Sequence, residues 1–105
     1  MNYGVVFRPR AAGDLERLLD HILERELASP TGDLDTAERA MASIRQACQL
    51  LTHSPFSCRK VGLSSFVREL IISFGASGYV ALFEIVDVRT VIVGAIRHQN
   101  ESDYH

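Results

Sequence analysis

Seven side chains in this sequence have the charge or titration range for chemistry on an anion, and they fall into three groups. Arg59, Lys60 and Arg68 lie in the stretch from Phe56 to Arg68, which holds three bases and no acid. Arg97 and His98 close the last apolar run, and Tyr104 and His105 follow in the polar tail. Arginine offers an oxyanion two parallel N–H donors, and lysine offers a point charge. Histidine titrates near neutrality, which makes His98 the best single candidate for acid–base work. A chain that grips nucleic acid over a wide surface is basic throughout. This one carries a net charge of −2, with eight acids between Asp14 and Glu38 against Arg17 and Arg25. Any anion is therefore met at a local patch, or the main partner is a protein.

Positioning these groups falls to one small domain spanning residues 1–105, long enough for a single core. Its organising stretch is Val67 to His98, three apolar strands joined by tight turns. Phe66 to Phe74 alternates, Gly75-Ala76-Ser77-Gly78 is a turn of small residues, and Tyr79 to Val86 and Thr90 to His98 meet at Asp87-Val88-Arg89. Tyr79 to Phe83 is apolar on both faces and suits a central strand. Upstream, Tyr3 to Arg8 reads as a strand that Pro9 ends. A helix from about Ala11 to Glu26 follows, with Leu15, Leu18, Leu19, Ile22 and Leu23 on one face. A second helix starts near Asp35, with Glu38 in capping-box spacing, and runs to Leu51 before His53-Ser54-Pro55. Phe56 to Ser65 has no period and reads as a loop.

The order β-α-α-β-β-β predicts an α+β domain: a helical hairpin packed on one face of a mostly antiparallel four-stranded sheet. Because the strands carry apolar residues on both faces, the second face is expected to offer a groove that a partner fills. Every apolar run is broken by charge before it could span a bilayer, and the start lacks a signal-peptide pattern. A cytoplasmic chain with no membrane partner is expected. Cys48 falls on the stripe of the second helix and Cys58 in the loop after it, so no disulfide is expected. His98, Glu101, Asp103 and His105 contain no ligand pair with firm metal spacing, so neither a metal nor another cofactor is expected.

Four pieces in this order, FRPRAAGDLERLLDHI, the Asp35–Leu51 helix ending in HSPF, VRELIISFGASGYVALFEI and VIVGAIRHQNESDYH, resemble the RelE/ParE superfamily of type II toxin–antitoxin toxins, often labelled plasmid stabilisation proteins. The resemblance covers nearly the whole chain. It implies a toxin held by a cognate antitoxin as a hetero-oligomer, with Leu15, Leu18, Leu19 and Ile22 of the first helix facing that antitoxin. Two activities exist in the superfamily. ParE-like members are associated with poisoning DNA gyrase; on that branch Arg59, Lys60, Arg68, Arg97 and His98 would bind the target. RelE-like members cleave messenger RNA on the ribosome. On that alternative His98, Arg97, Arg68 and Tyr104 would be catalytic, with Arg68 matching the family arginine at the start of its strand and able to clamp a phosphate. A third possibility within the resemblance is a non-toxic interaction module. It is favoured by Asn100, which stands where many members carry an arginine. The final Tyr104-His105 looks like the tail of some ribosome-dependent members. The single lysine and pI near 6.0 favour the ParE-like side.

Overall fold

The computed structural model describes residues 2–100; the tail residues Glu101, Asp103, Tyr104 and His105 named above lie outside the described residues. Strand β1 (Gly4–Phe7) leads into helix α1 (Pro9–Ala28), and helix α2 (Asp35–Cys48) follows after a short turn. The chain then forms β2 (Arg59–Lys60), β3 (Val67–Phe74), β4 (Ser77–Asp87) and β5 (Thr90–His98). These make one sheet in the order β1-β5-β4-β3-β2, with β1 parallel to β5 and the other pairs antiparallel. The α+β class and the helical hairpin agree with expectation, but the sheet has five strands rather than four. The extra one pairs Arg59 with Glu69 and Lys60 with Arg68. Two residues are too few to show an alternating pattern, so this edge reads as loop in the sequence.

Pro9 occupies the first turn of α1, where its missing N–H is not needed. The expected capping box at Asp35 does not form. Instead the Asp33 carboxylate accepts the Asp35 N–H at 2.9 Å and the Arg39 guanidinium at 3.1 Å. These contacts hold the Asp33 carboxyl below the usual carboxylate range. Beyond Cys48 the second helix tightens into a 3₁₀ turn, Gln49–Thr52, which buries Leu51 completely. Gly75 takes a φ of 61° at the first position of the two-residue β3–β4 turn, a conformation glycine adopts at no steric cost.

Both helices lie on one face of the sheet. Leu18, Ile22, Ala40, Ile44 and Cys48 meet Leu70, Ile72, Ala81, Phe83 and Val93 in a single core. Strand β4 is central, and Tyr79, Val80, Ala81 and Phe83 are each at most 4% exposed. Among the described residues no element covers the opposite face, as expected, yet its centre is not apolar. Glu69 and Arg97 lie across it over the buried Val80 and Ala95, while Val6, Ile71 and Val86 stay exposed. Among the described residues no helix is long and apolar enough to cross a membrane.

Candidate functional site

Successive side chains of a strand point to opposite faces, and that rule divides the candidate residues. Arg68 pairs across the sheet with the core residue Phe83, so it points to the helix side. There it is buried in a knot of main chain. Its Nε donates to the Ser65 carbonyl at 2.9 Å, and Nη1 donates to Phe56 and Cys58 carbonyls at 2.9 and 2.7 Å. The guanidinium also sits 5.1 Å from the centre of the Phe56 ring. Where the sequence suggested a phosphate clamp, the Arg68 Nε and Nη1 are engaged by three carbonyl oxygens, and the residue organises the loop that carries Arg59 and Lys60. Burial pushes the adjacent Cys58 thiol up, with the Arg68 charge opposing.

On the open face the organising group is Glu69, 9% exposed. One carboxylate oxygen meets Arg59 Nη2 at 2.8 Å and Nε at 3.0 Å, and the other lies 3.8 Å from Arg97 Nη2. The Arg97 side chain is 14% exposed and also donates to the carbonyls of His98 and Gln99, each at 3.3 Å. Two cations bracket this carboxylate, and Glu84, exposed on the same face of β4, is a second acid there. Arg59, at 61% side-chain exposure, is the member that a ligand meets first. Lys60, exposed on the same edge strand, pairs with Arg68 and so points to the helix side.

His98 is on the other side. It pairs with Tyr79, a core residue, and its ring stands edge-on to that phenol at 5.8 Å. Nδ1 accepts the Asn100 N–H at 3.1 Å, and Nε2 lies 3.0 Å from the Ser77 hydroxyl. An acceptor role at Nδ1 puts the proton of the neutral ring on Nε2, which donates to Ser77. His98 lines a cleft of about 610 Å³ between α1 and the β3–β4 turn, together with Arg17, His21 and Arg25. Burial pushes the Tyr79 hydroxyl up, with the charge of Arg25 opposing. Of the three residues grouped from the sequence, Arg68 and His98 lie on the helix side of the sheet and Arg97 faces away from both. Arg68 itself is four residues, about 13 Å, along the strand from Ile72, which lies level with His98.

Of the α1 leucine stripe suggested for an antitoxin, Leu18 and Ile22 are 5% and 3% exposed in the core, and Leu15 and Leu19 are partly buried against it. Exposed apolar surface is found elsewhere. Phe56, Phe66, Val86 and Val88 line a groove of about 380 Å³, with Phe56 and Phe66 edge to face at 6.2 Å. Among the described residues no cluster of His, Cys, Asp or Glu could hold a metal ion.

Two positioning residues were missed in the sequence. Asp14, counted there only among the acids, accepts the N–H of Ile96 at 2.9 Å across 82 residues of chain. A register shift at Leu82/Phe83 passes over Gly94, and the Asp14 carboxylate serves the strand just beyond it. Glycine inside a strand was the available signal for that bulge. For Glu69 the signal was a lone acid between Val67 and Ile71 on an apolar alternation.

The family model described as ParE toxin of type II toxin-antitoxin system, parDE, matches residues 5–103. A curated relative, Toxin RelE3 of Caulobacter vibrioides, is 38% identical over 94 residues, covering 89% of this chain and 90% of its own length. A solved structure described as the chromosomal ParDE TA system from P. aeruginosa superposes with a TM-score of 0.67 at 18% identity, covering 91% of this chain and 95% of the other. At that identity the structural likeness concerns the fold.

Proposed function

Because this chain belongs to the ParE toxin family of type II toxin–antitoxin systems, we propose that it acts in the cytoplasm as a ParE-like toxin, by stoichiometric binding to a replication enzyme such as DNA gyrase. The observation carrying this reading is the division of the polar residues between two faces. RNA cleavage needs a base, an acid and a cation around one phosphate. Here Arg97 is tied to Glu69 on the open face, His98 is held by Ser77 and Asn100 on the other, and Arg68 is buried under the loop. Among the described residues these do not converge. What remains presented is a binding surface: Arg59 and Lys60 on the edge strand, beside the groove of Phe56 and Phe66.

A cognate antitoxin neutralises the toxin in this reading, supported by the ParDE description of the solved structural neighbour. It would bury the Phe56–Phe66 groove and cover the two edge cations, through an added strand or an amphipathic helix. Arg68 contributes by fixing the loop rather than by touching the target. The test is induction in cells without the antitoxin, with DNA topology and breakage followed beside transcript integrity. Broken or relaxed DNA with intact transcripts is the expected result. Cleaved transcripts with normal DNA would establish the ribosome-dependent nuclease instead, and undisturbed growth would establish a non-toxic interaction module.

A further inference from the structure

The groove beside the β4–β5 turn combines aromatic rings with carboxylates, a pairing that suits a cation. Phe56 and Phe66 form part of its wall, 46% and 53% exposed, together with Val86 and Val88. Glu84 and Asp87 line the same groove, and among the described residues no lysine or arginine does. Asp87 accepts the main-chain N–H of Arg89 at 2.8 Å, and among the described residues neither carboxylate pairs with a cation. The chain itself shows a guanidinium on one of these rings: that of the buried Arg68 sits 5.1 Å from the Phe56 centre. We propose that the groove is the docking site for an arginine-bearing, otherwise apolar segment of a protein partner, the arginine lying on the Phe66 ring within reach of the two carboxylates.

Charge and area both select this occupant. An arginine stacks on an aromatic face and offers a carboxylate paired donors, so rings and acids in one groove suit it better than a lysine or a neutral side chain. A nucleic acid would bring phosphates against Glu84 and Asp87, with no cation in the lining to meet them. A small free cation would leave Phe66, Val86 and Val88, from 43% to 67% exposed, still facing water. A segment with apolar residues on either side of the arginine covers them. The chain's own tail does not supply it: residues 101–105 hold no arginine or lysine, and β5 ends against Tyr79, eight residues or about 26 Å along β4 from Asp87. The inference rests on the reading that a protein partner covers this groove, and it assigns that partner's chemistry there.

The test uses the full chain and three fluorescent peptides: one with a central arginine between leucines, one with glutamine in its place, and one with glutamate. The arginine peptide is expected to bind with a Kd below about 1 mM, and the other two at least about tenfold more weakly. Glu84→Gln with Asp87→Asn should weaken the arginine peptide about tenfold while the glutamine peptide keeps its affinity, a split that a merely disturbed groove would not give. Both residues are exposed and asparagine can keep the Arg89 contact, so the fold should be retained, and an unchanged melting profile checks this. Equal affinity of the arginine and glutamine peptides, no binding by either, tighter binding of the glutamate peptide, or an unmoved double variant would each overturn the proposal. Growth arrest and its relief by a co-expressed antitoxin are scored separately. Relieved arrest with a silent arginine peptide would reject this groove chemistry and keep the toxin reading; arginine-peptide binding without arrest would keep the groove and reject the toxin reading.

Discussion

Arg68 and Arg97 sit on strands of the same sheet, yet they do opposite work. Arg68 is surrounded by neutral carbonyl oxygens and an aromatic face, so its charge is absorbed in holding a loop. Arg97 shares a carboxylate with Arg59, so its charge belongs to a network that reaches solvent. The lesson is that an arginine's nearest acceptors decide whether it builds structure or presents a field. Buried charge-assisted bonds to carbonyls are structural because no ligand can replace all of them at once.

The largest effect should come from the structural arginine. Arg68→Ala leaves three carbonyls without their donor, and thermal or denaturant unfolding should show a loss of about 3 kcal/mol or more. Arg68→Lys should recover little, since a point charge cannot span the three acceptors. If Arg68→Ala were neutral in stability but abolished toxicity, the division between the two arginines would be wrong. Next comes Glu69→Gln, which leaves Arg97 nearly buried beside a neutral group; chemical denaturation should report a loss of about 3 kcal/mol. Arg59→Gln at the exposed end of the same network should cost no more than about 1 kcal/mol while reducing growth arrest.

Alkaline titration separates the core from both arginine sites. Burial raises the Cys48 thiol to about 11. A raised folded value means that its contribution is fully present below the unfolded value near 9, and is lost as pH rises through 11. The two-unit difference corresponds to about 3 kcal/mol. The fall in stability across that window should become shallower in Cys48→Ala, with Cys58 and Tyr79 contributing the rest, and stay unchanged in Arg59→Gln. A comparably small effect concerns Asp14→Asn. Losing charge assistance at the Ile96 N–H should cost about 1 kcal/mol and speed hydrogen exchange at that amide.

Much of the framework was legible because it is periodic. The leucines of α1 and the alternation of Phe66 to Phe74 place both elements without reference to any partner. The small residues of the Gly75 turn fix the first hairpin in the same way. Antiparallel pairing of the last three strands follows from their short connections. The division of Arg97 from His98 was also legible in principle, since neighbours on a strand face opposite ways. The family pattern drew them together instead. Strand β2 and the Asp14–Ile96 bond were not legible. The first is too short to carry a period, and the second joins residues that only the finished fold brings close. Arg68 shows the same limit, because its acceptors are backbone carbonyls, which no side-chain pattern records.

The most direct measurement is a titration of the purified chain into a DNA gyrase supercoiling reaction, run beside a ribosome-bound messenger RNA. Inhibition or DNA breakage that tracks the molar ratio of chain to gyrase, and that is lost when Arg59 and Lys60 are both changed to Gln, is the predicted outcome. Undisturbed supercoiling at excess chain, with the message cut by substoichiometric amounts, would contradict it.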